Sequence, residues 1–304
     1  MPGRTTRMLS AAGAACTLGA CQTAPAPAPA RGPVEWAEIA ALPLPPADHR
    51  IEYGGDPSQF GELRLPEGPG PHPVAVIVHG GCWRSEFDVR HITHVSAALA
   101  RSGVATWTLE FRRIGASGGG WTATFEDVVR GTGHLRALAD RHRLDLERVV
   151  LVGHSAGGHL ALWLAARRNL PAEDPLATPA PLPVRGIVAL APITDLRAYG
   201  AEAGSCNSAV APLLGGTAEE VPERYARASP IELLPVGVPQ RLVHGALDPI
   251  VPVDQSRSYV DAATTRGDDA ELWLVEGAGH FDLIAPFAPA WGRVEEAVHA
   301  LLGT

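Results

Sequence analysis

From about residue 50 onward, short apolar runs rich in β-branched residues alternate with longer stretches whose apolar positions recur at helical spacing. This order predicts a mostly parallel sheet with helices on both faces, an α/β architecture. Strands are expected at 61–65, which alternates like an edge strand, and at 74–78 (VAVIV), 105–109, 149–152, 186–190, 241–243 and 271–275, which read as buried runs. Helices are expected at 89–101, 125–142, 157–168, 253–266 and 289–302, several of them followed by a Gly or Pro stop such as Gly103, Pro171 or Gly267.

Two segments break the alternation. Residues 170–183 are rich in Pro and acidic side chains and read as a surface loop. Residues 196–238 carry Gly and Pro punctuation and two short helical stretches. An excursion of this kind from an α/β sheet leaves the carboxyl end of the strands, where ligands bind, so it is expected to form a small lid, with a plain long connection as the alternative.

Ahead of the periodic region the chain changes character. Arg4 and Arg7 precede an uncharged stretch of small and apolar residues from Met8 to Ala20, the layout of a signal peptide. It is too short for a membrane-spanning helix, which needs roughly 20 apolar residues. The sequence Leu18-Gly19-Ala20-Cys21 resembles a bacterial lipobox, which makes Cys21 the expected lipidation site; an ordinary cleaved signal is the alternative. Residues 21–49 are rich in Pro and Ala. The Ala-Pro repeats within them favour extended polyproline II, so the stretch is expected to tether an exported domain spanning 50–304. The location this layout leads one to expect is the periplasm or the cell surface, on a bacterial membrane.

The 46% hydrophobic and 19% charged composition suits a packed core. A formal charge of −8 with no basic run excludes nucleic acid as a partner, because phosphate binding needs clustered cations. Every cationic side chain is Arg, and no mechanism follows from that. Of the four cysteines, Cys16 is expected to leave with the leader and Cys21 to be acylated, which leaves Cys82 and Cys206. They stand either as a disulfide or as two unpaired buried thiols. No His or Cys spacing of the zinc-binding kind is visible.

The chemistry concentrates in Val149-Val150-Leu151-Val152-Gly153-His154-Ser155-Ala156-Gly157-Gly158, where an apolar strand runs into G-x-S-x-G and then a helix. That setting is what a nucleophile elbow requires: a tight turn that projects Ser155 from the end of the strand, with small residues at 153 and 157 so that strand and helix approach closely. A serine hydroxyl is a weak nucleophile and needs a base. Among the twelve histidines, His280 sits in a Gly-rich turn directly after the last apolar strand and can be aimed back over the sheet. His244 is expected to orient its own turn, His299 to lie on the surface, and His154 and His159 to point away from the cleft. Asp248, just past the preceding strand, completes the chain order Ser, Asp, His. Asp195 is the rival carboxylate, with helix capping as its other role, and Asp254 is expected to start a helix. For the oxyanion, the run His79-Gly80-Gly81-Cys82-Trp83 follows the VAVIV strand, and the N–H groups of Gly81 and Cys82 are expected to join that of Ala156 as donors. Trp83 either walls the acyl pocket or belongs to the core.

These motifs, H-G-G-x-W at 79–83, G-H-S-A-G-G at 153–158, L-D-P-I-V-P at 247–252 and G-A-G-H-F at 277–281, resemble the α/β-hydrolase esterases related to arylformamidases and bacterial acetyl and feruloyl esterases. The likeness covers roughly residues 50–302. It implies an α/β-hydrolase fold and a Ser155 nucleophile with His280 as base and Asp248 as its support. It further implies acyl-enzyme turnover of small acyl esters with no metal and no organic cofactor. One departure is Cys82, which stands where that motif usually carries an aromatic residue. The stretch Glu110-Phe111-Arg112-Arg113 followed by Gly118-Gly119-Gly120-Trp121 also looks like the family, with a structural or cleft-rim role. Short-chain carboxylic esters are the expected substrates. The alternatives are a formamidase, which export disfavours, a dipeptidyl-peptidase-like amide hydrolase, and a lipid-anchored binding protein that has lost catalysis.

Overall fold

The computed structural model describes residues 1–3, 32–177, 180–204 and 206–304. Residues 4–31, which hold the apolar stretch of the expected leader, Cys21 and the start of the expected tether, lie outside the described residues. In chain order the described elements are α1 (Trp36–Ala40), β1 (His49–Glu52), β2 (Phe60–Arg64), β3 (His72–Val78), α2 (Thr93–Arg101), β4 (Ala105–Leu109), α3 (Ala123–His142) and β5 (Leu144–His154). They continue with α4 (Ala156–Ala166), β6 (Gly186–Leu190), α5 (Leu196–Gly200), α6 (Val210–Leu214), α7 (Pro222–Ala228), β7 (Gln240–Gly245), α8 (Val253–Thr265), β8 (Ala270–Val275) and α9 (Trp291–Leu302).

The strands form an eight-stranded sheet in the order β1-β2-β4-β3-β5-β6-β7-β8. Pairing is antiparallel from β1 to β4 and parallel from there to β8. Because side chains alternate across a strand, β3 feeds two cores at once. Val74, Val76 and Val78 pack with Phe125 and Val128 of α3 and Leu160 and Trp163 of α4. Ala75 and Ile77 pack on the other face with Val95 and Leu99 of α2 and Val294 and Val298 of α9. Burying each such Val or Leu contributes about 1.5–3 kcal/mol relative to leaving it in water, and continuous VAVIV-type runs are what a sheet covered on both faces demands. The α/β reading is borne out.

Several boundaries differ from the sequence reading. Strand 61–65 is not an edge: β1, too short and polar to stand out from the sequence pattern, pairs outside it, and β2 is buried at four of its five positions. Residues 32–49, expected to be part of a tether, belong instead to the folded unit Gly32–Thr304. Val34 and Ile39 are buried, and the Glu38 carboxylate accepts the Glu35 N–H at 3.1 Å and closes the first turn of α1. Two apolar side chains with core positions to fill outweigh the extended preference of the Pro-rich stretch around them. The insertion between β6 and β7 folds as α5, α6 and α7 with short 3-10 turns. Its Leu196, Tyr199, Val210, Leu213 and Tyr225 belong to the core cluster of α3 and α4, so it is packed into the domain.

The chain reverses direction across the sheet at β3, with β4 on one side of it and β5 on the other. The crevice at the carboxyl ends of strands about such a reversal is where α/β sheets place ligands. The glycine-rich loop at 79–83 leaves β3 there, and Ser155 leaves β5 there.

Candidate active site

Ser155 follows the last residue of β5 with φ 57° and ψ −120°. A side chain with positive φ is strained, and the surroundings hold it in place. Its N–H donates to the Leu190 carbonyl at 2.8 Å, and its own carbonyl accepts the His159 N–H at 3.0 Å in the first turn of α4. The glycines on either side are dictated by contact. A Cβ at Gly153 would lie 2.1 Å from the Gly157 carbonyl oxygen, and one at Gly157 would lie 2.2 Å from the Val78 carbonyl oxygen. Strand, turn and helix therefore close on one another as the motif predicts.

Asp248 and His280 come from adjacent loops that are themselves bonded together. Leu247 N–H donates to the Ala278 carbonyl at 2.9 Å, and a Cβ at Gly245 would meet that same oxygen at 2.5 Å. His280 Nδ1 donates to Asp248 Oδ2 at 2.6 Å. The other carboxylate oxygen, Oδ1, accepts the N–H groups of Ile250 at 2.8 Å and Val251 at 2.9 Å. His244 serves the same loop: its Nε2 donates to the Val251 carbonyl at 2.9 Å and faces Asp248 Oδ2 at 3.4 Å, while Nδ1 accepts from Ser256 at 2.8 Å. Burial pushes the Asp248 carboxyl up. The hydrogen bonds from His244 and His280, the charge His280 can carry and the Val251 N–H outweigh burial and hold the group well below the ordinary carboxylate range.

The structure thus brings His280 and Asp248 into direct contact, with the ring of His280 centred 4.4 Å from that of His154, the neighbour of Ser155. Ser155 and His280 are both nearly inaccessible, at 2% and 4% exposure. Asp195 lies elsewhere and caps α5, accepting the N–H groups of Arg197 and Ala198. Asp254 sits in the first turn of α8. His299, read as a surface residue, is half-buried and bonds Ser102 and Thr304.

The loop after β3 carries Gly81, Cys82 and Trp83 at φ 103°, 54° and 56°. Three consecutive left-handed residues turn successive N–H groups to one side, and among the described residues no hydrogen bond to protein atoms occupies the N–H groups of Gly81, Cys82 or Ala156. Cys82 is disulfide-bonded to Cys206, which ties this loop to the insertion between β6 and β7. Trp83 is buried and donates its indole N–H to His159 Nδ1 at 3.2 Å. His159 Nε2 in turn donates to the Ala228 carbonyl at 2.9 Å.

Sequence reasoning undervalued Glu110. Its Oε1 accepts from His79 Nε2 at 3.1 Å, from Phe111 N–H at 3.0 Å and from Arg113 at 3.1 Å, and its Oε2 accepts Val89 N–H at 3.0 Å. A single buried carboxylate therefore fixes the start of the glycine-rich loop. It also missed His91, whose Nε2 lies 2.9 Å from His154 Nδ1, and Asp282, whose carboxylate accepts the Gly279 N–H beside His280 and the Val34 N–H of the N-terminal segment. Neither stands in a motif; the position of Asp282 two residues past His280 was the only cue.

A parallel sheet with a strained serine after one central strand, a His–Asp pair from the two last strand loops and free N–H groups beside them defines an α/β-hydrolase with a site of the serine-hydrolase pattern. The BD-FAE family profile matches residues 63–262, and the chain belongs to that family. Among curated relatives, the esterase LipC of Mycobacterium tuberculosis is 31% identical over 248 residues, covering 77% of this chain and 60% of LipC. Isoprenylcysteine alpha-carbonyl methylesterase ICME of Arabidopsis thaliana is 27% identical over 258 residues, covering 77% of this chain and 56% of its own length. The chain therefore spans at most about 60% of these two relatives. In solved structures the fold recurs in a truncated carbohydrate esterase from gut microbiota, with TM-score 0.73 at 18% identity over 90% of this chain and all of that one. It recurs also in an esterase of the Planctomycetes species Thermogutta terrifontis, with TM-score 0.69 at 21% identity over 87% of this chain and 96% of the other.

Proposed function

We propose that the protein is a serine carboxylesterase that hydrolyses short-chain acyl esters through an acyl-enzyme, with Ser155 as nucleophile, His280 as base and Asp248 as its support. The observation that carries this reading is the 2.6 Å bond from His280 Nδ1 to Asp248 Oδ2. With Nδ1–H committed to a carboxylate, Nε2 is left as the basic nitrogen, the tautomer needed to take the Ser155 proton. Ser155 Oγ attacks the ester carbonyl as that proton moves to His280, and the oxyanion takes the N–H groups of Gly81, Cys82 and Ala156. His280 then protonates the departing alcohol. Water, deprotonated by the same imidazole, releases the acid and restores Ser155. The relatives named as esterases support the reaction class.

The deciding experiment is Ser155→Ala on the full chain. Turnover of p-nitrophenyl acetate and labelling by a fluorophosphonate probe are both expected to vanish with an unchanged melting temperature. Retained turnover would exclude the assignment. A formamide and an aminoacyl amide in the same assay separate ester hydrolysis from the amide alternatives.

We further propose that the protein is exported and anchored by a lipid on Cys21. The leader layout and the lipobox support this reading, and so does the Cys82–Cys206 disulfide, a bond that persists in oxidising compartments and is rare in the cytosol. Metabolic labelling with palmitate should mark the protein and be lost in Cys21→Ala. Labelling that survives the substitution would refute the anchor.

A further inference from the structure

The loop that carries His280 is held from outside by the N-terminal segment that the sequence pattern assigns to a tether. Asp282 Oδ2 accepts the Val34 N–H at 3.0 Å and the Gly279 N–H at 2.8 Å, so one carboxylate oxygen bridges the segment and the loop. The two backbones are close enough that a Cβ at Gly279 would lie 2.8 Å from Pro33 Cβ. Two residues after Val34, the Trp36 ring packs 5.8 Å from Phe281 and stacks on His91 at 5.0 Å and 21°.

A second path runs through that imidazole. His154 Nε2 lies 3.0 Å from the His280 carbonyl oxygen. A carbonyl only accepts, so Nε2 carries the proton and the lone pair of His154 Nδ1 faces His91, whose Nε2–H donates to it at 2.9 Å. The chain of donors therefore runs one way, from His91 through His154 to the backbone of residue 280. Burial keeps both rings neutral by lowering their pKa values well below that of free histidine, helped by the charge each neighbouring imidazole would carry. Trp36 is the lid on this stack.

We propose that Pro33–Trp36 is a positioning strap for the base. It fixes the His280 loop directly through Asp282 and Phe281, and indirectly through His91 and His154, and so sets how well His280 meets Ser155. This inference rests on the esterase reading for its kinetic arm only. If the strap acts in this way, loosening it lowers the chemical step and leaves ester binding alone.

The test uses the full chain with Val34→Pro, which removes one N–H, and with Trp36→Ala and Trp36→Phe. Val34→Pro and Trp36→Ala should lower kcat for p-nitrophenyl acetate tenfold or more with KM within twofold, and Trp36→Phe should recover most of the loss. Hydrogen exchange at the Gly279 amide should accelerate in the two impaired variants, at temperatures well below their melting points. Unchanged kcat in Trp36→Ala would overturn the strap, as would a loss that Trp36→Phe fails to recover. Should the wild type cleave no ester, the esterase reading fails and the exchange arm still decides: faster exchange at Gly279 sustains the strap, and unchanged exchange overturns it.

Discussion

Trp83 and His159 are joined by a 3.2 Å hydrogen bond that links the glycine-rich loop after β3 to the first turn of the helix behind Ser155. The bond requires the lone pair of His159 Nδ1, and its Nε2–H is committed to Ala228, so this imidazole works only while neutral.

Burial lowers the pKa of His159 from 6.5 to about 4, opposed by its bond to the Ala228 carbonyl. The folded state thus binds its proton less readily than the unfolded chain. Stability from this group is complete above about pH 6.5 and declines as pH falls toward 4, by an amount on the order of 3 kcal/mol. Urea unfolding at pH 7 and pH 5 should show a larger loss for the wild type than for His159→Gln. Equal losses would remove His159 from the acid response.

Asp248→Asn keeps the shape of the loop but offers His280 an amide whose NH2 or oxygen can pair with either ring tautomer. The wrong tautomer then becomes accessible, and kcat should fall on the order of 10^4-fold, the size of the loss when the Asp of a Ser-His-Asp protease triad is replaced by Asn. Because the Asp248 carboxyl is held below its ordinary range, its contribution to stability is present above pH ~4 and is lost as pH falls through the lower folded value. Melting temperatures of wild type and Asn variant should therefore converge in strong acid. A gap that widens there would contradict the assigned direction.

Cys206→Ser should release the loop at 81–83 from the insertion. A loss of about 2–4 kcal/mol in stability is expected from the lost cross-link, together with a lower kcat, since the Cys82 N–H is one of the proposed oxyanion donors. Treating the wild type with dithiothreitol should reproduce both effects, and treating the serine variant should add nothing. An additional drop in the variant would point to a different target for the reductant.

Glu110→Gln retains the volume and removes the charge that Arg113 and His79 face. Leaving Arg113 buried without its partner should cost about 3–5 kcal/mol by chemical denaturation. The same change should slow fluorophosphonate labelling of Ser155, because His79 leads the glycine-rich loop. Normal labelling in a folded variant would confine Glu110 to the core.

Much of this was legible in the sequence because the relevant signals are local. Residues 105–109 and 186–190 read as buried strands and are found at those same limits, since five apolar or β-branched residues between turns leave little choice. The strand, turn and helix around Ser155 were equally plain. What stayed hidden depends on pairing over long distances. Strand β1 is four residues with none fully buried, and only its register with β2 makes it a strand. Helix α1 is five residues in a Pro-rich stretch, and Val34 meets its partner Asp282 across 248 positions of chain. The pairing of Cys82 with Cys206 across 124 positions carries no spacing signature either. His91 and Glu110 likewise became meaningful only once the strands set them beside His154 and His79.

The split of β3 between two cores has a consequence for how the protein fails. A slip of one residue in this strand would send Val76 into the pocket shaped for Ile77, and it would also shift the origin of the His79–Trp83 loop by one strand step, roughly 3.3 Å. Misfolding and loss of the proposed oxyanion loop are one event here. A population that refolds with this strand misaligned should therefore be silent in an activity assay rather than partly active.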